Sequence, residues 1–387
     1  MVYASTYILF VLSFFIFQYL PKSIGKTEHY YYPRIYILFS LLVFLGCRGF
    51  IITDWVNYYK FYTEAPTLLD SSFHSFLNLY GWEHGFVYFS CFLKIFTKNY
   101  FVYQFILFFL DLLIIDKVIR EYVDSRYYGI AFISFFVFQG FIFECNALRN
   151  SKSVMFFLLS VKYIRKQDFI RFFLLNLIGV LFHTSALLYF PMYFILNRRY
   201  SKRVWLIIFF VGNFFLLAHV QWILICLQKI LPLLGQSRIL SLINNYKILT
   251  GDATSFSLGV GFIERTFVYL LVVHYSSKML ERNENLLPFI NMIYIFMICF
   301  LFLSEFTIIA TRFSRLFVPA YWVIIPAIYN ELKFDKKKIF IVIFLLYCVL
   351  KMLSQCRSPA YAYSNVLFST QDYNHSYSIL KKCNPDE

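Results

Sequence analysis

Long runs of apolar residues, separated by short polar connections, recur along almost the whole chain. A helix needs about 20 mostly apolar residues to cross a bilayer, so these runs predict membrane-spanning helices. The predicted spans cover 2–20, 35–50, 101–116, 127–144, 151–164, 170–196, 204–220, 259–277, 286–304, 313–330 and 339–353. We therefore predict an all-α polytopic integral membrane protein with about 11–13 transmembrane or re-entrant helices, forming one membrane domain over residues 1–353.

Three segments depart from this simple pattern. Residues 82–97 form a shorter apolar run that contains Lys94, which predicts a half-span or an interfacial helix. Residues 221–258 mix apolar and charged positions, which is typical of an amphipathic helix lying on the membrane and then a polar loop. Residues 354–387 form a polar, tyrosine-rich tail.

Basic connections predict the orientation of the spans, because Lys and Arg accumulate in cytoplasmic loops. Such residues are concentrated in 22–34, 117–126, 162–171, 198–203, 278–282 and 333–338. With these connections in the cytoplasm, the long loops 48–85 and 221–258 and the tail are extracytoplasmic.

The run 170–196 has basic residues at both ends, although one span should have a single cytoplasmic end. A break at His183-Thr184-Ser185 would give two antiparallel half-segments, and polar backbone there would have to line protein or a wet cavity. The alternative is one long span whose outer end is basic. In the first case His183 is a cavity residue, and in the second it is an ordinary core histidine.

Composition agrees with a membrane protein, since 60% of the residues are hydrophobic and only 15% are charged. The net charge of +15 does not indicate nucleic-acid binding, because the orientation of the spans accounts for most of it. The eight cysteines contain no C-x-x-C pair, so we expect no metal site, no disulfide framework and no cofactor.

Candidate functional residues are the charges near membrane depth, because an ionisable group there is costly and usually functional. They fall at the predicted outer ends of helices and are Arg48 with Asp54, Glu83-His84, Glu144 with Arg149, His183, and Glu305 with Arg312 and Arg315. Each also has a structural interpretation. Arg312 and Arg315 could bind a phosphate between them or extend toward water. Glu144 could form a local ion pair with Arg149 or Lys152.

Four short motifs contain these same residues. They are Gly46-Cys47-Arg48-Gly49 with Thr53-Asp54 and Tyr58; Trp82-Glu83-His84-Gly85-Phe86; Leu148-Arg149-Asn150 with Phe182-His183-Thr184-Ser185-Ala186; and Arg312-Phe313-Ser314-Arg315. Over most of 35–330 the chain resembles the EpsG-like branch of the Wzy-type polysaccharide (O-antigen) polymerases. It departs from the usual Gly, Pro, Gln and Ala of that family at Thr53, His84, Asn150 and Ser153.

The resemblance implies a glycosyltransferase of the bacterial cytoplasmic (inner) membrane with its active site facing outward. Such enzymes transfer a glycan chain from undecaprenyl pyrophosphate onto the next lipid-linked repeat unit, alongside a flippase and a chain-length regulator. Products of this kind are lipopolysaccharide O-antigen, capsule or exopolysaccharide. An O-antigen ligase or other lipid-carrier glycosyltransferase, a lipid-linked oligosaccharide flippase and a membrane O-acyltransferase are the alternatives.

The resemblance also suggests roles for individual residues. Arg48, Arg149, Arg312 and Arg315 would stabilise the departing diphosphate, with Glu305 beside them, and no metal is required. Asp54, or else Glu83, would accept the proton of the acceptor hydroxyl, and His183 would act as a base or a hydrogen-bond donor. Aromatic faces in the outer loop would stack on sugars, and they belong to Trp55, Tyr58, Tyr59, Tyr62, Tyr80 and Trp82.

Overall fold

A computed structural model describes residues 2–19, 31–218, 220, 222–233 and 259–383. Within these ranges the regular structure is helical and contains no strand. The α-helices, numbered in chain order, are α1 Val2–Tyr19, α2 Tyr31–Leu41, α3 Trp55–Glu64, α4 Phe73–Phe76, α5 His84–Phe96, α6 Tyr100–Tyr122, α7 Tyr128–Phe135, α8 Phe141–Asn146, α9 Leu148–Arg165, α10 Phe169–Phe182, α11 Met192–Leu196, α12 Lys202–Leu217, α13 Trp222–Leu233, α14 Val260–Arg282, α15 Leu287–Phe302, α16 Thr307–Arg315, α17 Ala320–Glu331, α18 Phe334–Gln355 and α19 Tyr373–Cys383. The predicted all-α class is confirmed.

Several helices begin at side chains that accept hydrogen bonds from the free backbone N–H groups of the first turn. Asn99 accepts from Phe101 and Val102 at the start of α6. Asp168 caps α10, and Ser201 caps α12. Short polar connections therefore determine where the long apolar runs begin as helices.

Three described segments are long and apolar enough to cross a membrane, namely Ser125–Asn146, Glu284–Phe302 and Phe334–Gln355. A fourth is added if Lys202–Leu217 and Trp222–Ile230, which meet at 85°, form one broken span. The apolar window of Phe334–Gln355 is only 17% buried. Its exposed apolar side chains suit contact with lipid tails. These segments agree with a polytopic membrane protein. Of the predicted loop 221–258, residues 221 and 234–258 lie outside the described part.

The chain divides into two compact units, one of residues 1–195 and 325–387 and one of residues 196–324. In the first, α1 packs against α7 and α18, and α9 packs along α10. In the second, α12 and α14 pack against α15, where the Trp205 and Tyr294 rings stack at 4.4 Å. The side chains predicted to be catalytic all lie in the first unit.

Of the two alternatives for 170–196, the structure shows the break at His183. Helix α10 ends at Phe182, and His183 is extended, with φ −160° and ψ 128°. The chain then folds back along α10, placing Phe190 against Phe173 at 4.9 Å and Tyr193 against Phe172 at 5.3 Å. The run 170–196 is therefore two antiparallel segments rather than one long span.

The loop 48–85 folds as helices α3 and α4 around an aromatic core that extends into α5 and α6. Trp55, Tyr58 and Tyr62 are 3%, 5% and 0% exposed, so the expectation that their faces are open to sugars is wrong. Lys94 of the short helix α5 is also buried, and its ammonium donates to the backbone oxygens of Tyr62 and Thr63. At 13 residues, α5 reaches only about 20 Å. That length agrees with a half-span.

The polar tail packs onto the beginning of this loop. Three backbone hydrogen bonds join them, namely Gly49 N to Ser364 O, Ile52 N to Ala360 O and Val366 N to Cys47 O. The ring of Tyr373 lies against the rings of Phe50, Trp55 and Tyr59. The tail therefore belongs to the same packed unit as the loop that contains Asp54.

Candidate functional site

A partly buried ion pair joins two of the predicted motifs. Arg149, in the first turn of α9, donates from Nη1 to Oε2 of Glu83 at 2.6 Å. The two side chains are 24% and 14% exposed, so water reaches the pair while protein covers most of it. The guanidinium also lies 4.6 Å from the centre of the Trp82 ring, which is a cation–π contact.

Glu83 is also bound to the break after α10. Its Oε1 accepts the backbone N–H of Thr184 at 3.1 Å. Gly85 permits this approach, because a Cβ there would lie 2.6 Å from both Cβ and O of Leu181. The second and third motifs therefore meet at Glu83.

Both oxygens of Glu83 thus accept hydrogen bonds. Burial by itself would raise the pKa of this carboxyl, but the backbone N–H groups of Glu83 and Thr184 and the charge of Arg149 act in the opposite direction, and a protonated His183 would add to them. The resulting pKa lies below the ordinary value for glutamate. Glu83 is therefore ionised at neutral pH and is a weak base.

The tautomer of His183 follows from its contacts. Its Nδ1 accepts the backbone N–H of Ser185 at 3.1 Å and lies 2.8 Å from the hydroxyl of the same residue. A ring nitrogen that accepts a backbone N–H carries no proton, so Nε2 carries the proton of the neutral ring.

Asp54 begins helix α3 and is held to the Arg149 segment by Asn146. The side-chain oxygen of Asn146 accepts the backbone N–H groups of Thr53 and Asp54 at 3.1 and 2.9 Å. Ile52, just before them, has φ +68°, which is strained for a β-branched residue. The hydrogen bond from Ile52 N to Ala360 O of the tail, at 2.7 Å, helps to hold that conformation.

Tyr58 lies one turn into α3, near Arg149. Burial raises the pKa of Tyr58 above its ordinary value, although the cation of Arg149 acts against this. Tyr58 therefore remains a phenol at neutral pH. Substrate binding by Tyr58 stays a prediction.

Arg149 retains an unused donor. Its Nε is buried and has no hydrogen-bond partner among the described residues. A buried N–H without a partner is costly, so an oxygen ligand at this position would be favoured. Guanidinium groups bind phosphate oxygens through such N–H groups.

A buried polar cluster adjoins the beginning of α9, where Ser151 and Lys152 follow Arg149. Its members are Asp111, Glu144, Ser151 and Lys152. The Lys152 ammonium is paired with Asp111 and donates to the backbone oxygen of Leu107. Glu144 contacts the hydroxyl of Ser151 at 2.6 Å. The expected local ion pair of Glu144 with Arg149 or Lys152 is therefore absent in this described cluster.

Arg48 is buried, with 2% exposed, and its guanidinium donates to two backbone oxygens, those of Leu45 and Glu144. Its own carbonyl accepts from the side-chain amide of Gln104 at 2.8 Å. These contacts show Arg48 joining the outer loop to α6 and α8. Diphosphate binding by Arg48 stays a prediction.

Three predicted residues lie in the second unit. Glu305 accepts the backbone N–H groups of Ile223 and Leu224 at 2.9 and 3.1 Å, so it stabilises the start of α13. Arg312 and Arg315 both lie in the last turn of α16, which begins before them at Thr307, and Arg312 is exposed. Their binding of phosphate stays a prediction.

Asn146, Asp111 and Ser151 were missed by the sequence analysis. Asp111 stands inside an apolar run and could have been found by the rule that identified Glu144, whereas asparagine and serine give no comparable signal. Within the described ranges, no group of three or more His, Cys, Asp or Glu side chains is placed to hold a metal ion.

The motifs that meet at Glu83 and Arg149 are those that suggested a family. The sequence model of the EpsG family matches residues 30–367, which is most of the chain. The chain belongs to the EpsG family. No curated protein and no solved structure matches it. Membership gives this membrane protein a polysaccharide polymerase-like role of the glycosyltransferase type.

Proposed function

We propose that this EpsG-family protein extends a polysaccharide at the outer face of the bacterial cytoplasmic membrane. It would transfer a glycan chain from undecaprenyl pyrophosphate onto the non-reducing end of the next lipid-linked repeat unit. A flippase of the same pathway would deliver that unit, and a chain-length regulator would act with the enzyme. The product would be O-antigen, capsule or exopolysaccharide.

The reaction forms one bond and breaks another. The acceptor hydroxyl oxygen bonds to the anomeric carbon of the chain, and the bond from that carbon to the diphosphate oxygen breaks. The acceptor proton passes to a base, and the lipid leaves as its diphosphate. A site for this step needs a cation at the leaving group and a carboxylate at the acceptor.

Arg149 supports the first requirement. Its buried Nε has no partner within the described residues, while Nη1 is fixed on Glu83. An arginine fixed in this way offers an oriented donor to the departing diphosphate without losing side-chain freedom during the reaction. The unpaired N–H of Arg149, beside the break at His183, is the observation that carries the proposal.

Asp54 is the proposed base. Glu83 is occupied at both oxygens and has a lowered pKa, which suits positioning of Arg149 better than proton transfer. Asp54 begins α3, and its backbone N–H and that of Thr53 bond to Asn146, two residues before the helix that bears Arg149. His183 would donate from Nε2 to a substrate oxygen.

Replacement of Arg149 tests the proposal. Arg149→Ala should abolish long glycan chains while the protein remains inserted in the membrane at the wild-type amount. Arg171→Ala is the matched control, because Arg171 is also a helical arginine but is 69% exposed and forms its ion pair with Asp168, three residues before it. The measurement is the ladder of glycan lengths in a deletion strain that expresses each variant.

The product in the deletion strain separates the alternatives. Single capped repeat units indicate a polymerase, and accumulated lipid-linked polymer indicates a ligase. Repeat units retained on the cytoplasmic side indicate a flippase, and full-length polymer without acyl groups indicates an acyltransferase. A normal ladder from Arg149→Ala would remove Arg149 from the site.

A further inference from the structure

The buried cluster of Asp111, Glu144, Ser151 and Lys152 contains two carboxyl groups and one ammonium group. Asp111, Glu144 and Lys152 are 1%, 0% and 5% exposed. If both acids were ionised, these three side chains would carry a net charge of −1 away from water, which is strongly unfavourable. The nearby guanidinium of Arg48 is bonded to the backbone oxygens of Leu45 and Glu144 and to neither carboxyl group. Lys152 is bound to Asp111, so the excess charge would fall on Glu144.

The hydrogen bonds at Ser151 identify where a proton must be. Its hydroxyl oxygen lies 2.9 Å from Oδ2 of Asp111 and 2.6 Å from Oε1 of Glu144. A serine hydroxyl has one hydrogen to donate, and an ionised carboxylate can only accept. One of the two contacts therefore needs a hydrogen supplied by the carboxyl group.

Glu144 is the group that supplies it. Asp111 accepts from the Lys152 ammonium, which favours its ionised form. The carboxyl of Glu144 has no cation bound to it: Arg48 contacts only its backbone oxygen, and its Oε2 has no partner among the described residues. A protonated Glu144 can donate to Ser151, while Ser151 donates to Asp111.

We propose that Glu144 is held as an uncharged carboxylic acid, and that its proton completes a hydrogen-bond chain through Ser151 and Asp111 to Lys152. Ser151 and Lys152 follow Arg149 in the first turns of α9. The chain thus fixes the beginning of α9 against α6 and α8. Glu144 is in this sense a positioning residue for Arg149.

The charged groups facing the Glu144 carboxyl and its backbone come from three elements. Asp111 lies on α6, Lys152 lies on α9, and Arg48 lies after α2. Ionisation of Glu144 would leave two carboxylates facing one serine hydrogen, so one of the two contacts of Ser151, to α6 or to α8, would be lost. Glutamine at 144 preserves both contacts, because its amide N–H can replace the acid O–H.

Infrared difference spectroscopy of the purified full-length protein tests the protonation directly. At neutral pH the wild type should show the carbonyl stretch of a protonated side-chain carboxyl, and Glu144→Gln should lack it. Asp116→Asn is the matched control, because Asp116 is a buried carboxylate of α6 that is paired with Arg34 and Arg120. That variant should retain the band.

A second measurement tests the positioning role and rests on the proposed function. Polymer formation should stay within about twofold of wild type in Glu144→Gln and fall about tenfold in Ser151→Ala. Ser153→Ala is its control, because this buried hydroxyl bonds only to the backbone of Asn150 within the described residues.

A wild type without the acid band, or a band that persists in Glu144→Gln, would overturn the protonation. If the band behaves as expected but no polymer is made by any form, the proposed function fails and the protonation stands.

Discussion

Gly85→Ala should damage the site without touching a charged residue. Gly85 lies at the second position of α5, directly after Glu83 and His84, where the helix approaches Leu181 of α10. A Cβ there would lie 2.6 Å from both Cβ and backbone O of Leu181. Backbone cannot move aside as a flexible side chain can, so α5 and α10 must separate.

The size of the effect follows from that distance. Ordinary contact begins at 3.4 Å, so the helices must move apart by about 0.8 Å. Overpacking of this kind costs about 1–3 kcal/mol. The same shift would pull Glu83 from the Thr184 N–H, now at 3.1 Å. A displacement of about 1 Å can reduce a reaction rate about 100-fold.

The assay compares glycan ladders and thermal unfolding of purified protein for Gly85→Ala and Gly261→Ala. Gly261 is also in the first turn of a helix, α14, and a Cβ there would meet nothing within 4 Å. Alanine at 261 should therefore leave polymer formation unchanged and stabilise the helix by up to about 1 kcal/mol. A Gly85→Ala variant with a normal ladder would refute the close approach of α5 and α10.

Three further predictions concern the contacts that position the site. Asn146→Leu removes the acceptor for the backbone N–H groups of Thr53 and Asp54, so the free energy of unfolding should fall by about 1–3 kcal/mol per donor and the polymer should shorten. Asn146→Asp keeps an acceptor oxygen and should have a smaller effect on both measurements. The pKa of Glu83 is lowered in the folded protein. Its carboxylate therefore stabilises the fold at pH values above the ordinary pKa of glutamate, and this contribution is lost as the pH falls through the lowered pKa. The melting temperatures of wild type and Glu83→Gln should therefore differ at pH 7 and converge in acid, and a constant difference would contradict the ion pair. Deletion of residues 358–387 removes the hydrogen bond from Ile52 N to Ala360 O and should lower both the melting temperature and the polymer yield. Wild-type values for both would show that the tail does not support the loop 48–85.

The membrane class and the break at His183 could be predicted from sequence because each depends on local composition. Apolar runs, basic connections and a polar triplet inside a run all report the cost of placing a given group in lipid. That cost belongs to the residue and its neighbours in the chain. The same reasoning singled out Glu83, Glu144 and Arg149 as costly charges that need partners.

The identity of those partners was decided only by the tertiary structure. Glu83 and Arg149 are 66 positions apart in the chain yet form an ion pair, and the close approach of α5 to α10 at Gly85 brings Glu83 to Thr184 as well. Arg48 is satisfied by backbone oxygens, which no motif specifies. A sequence shows that a charge must be neutralised, but the path of the chain determines which group is close enough to neutralise it.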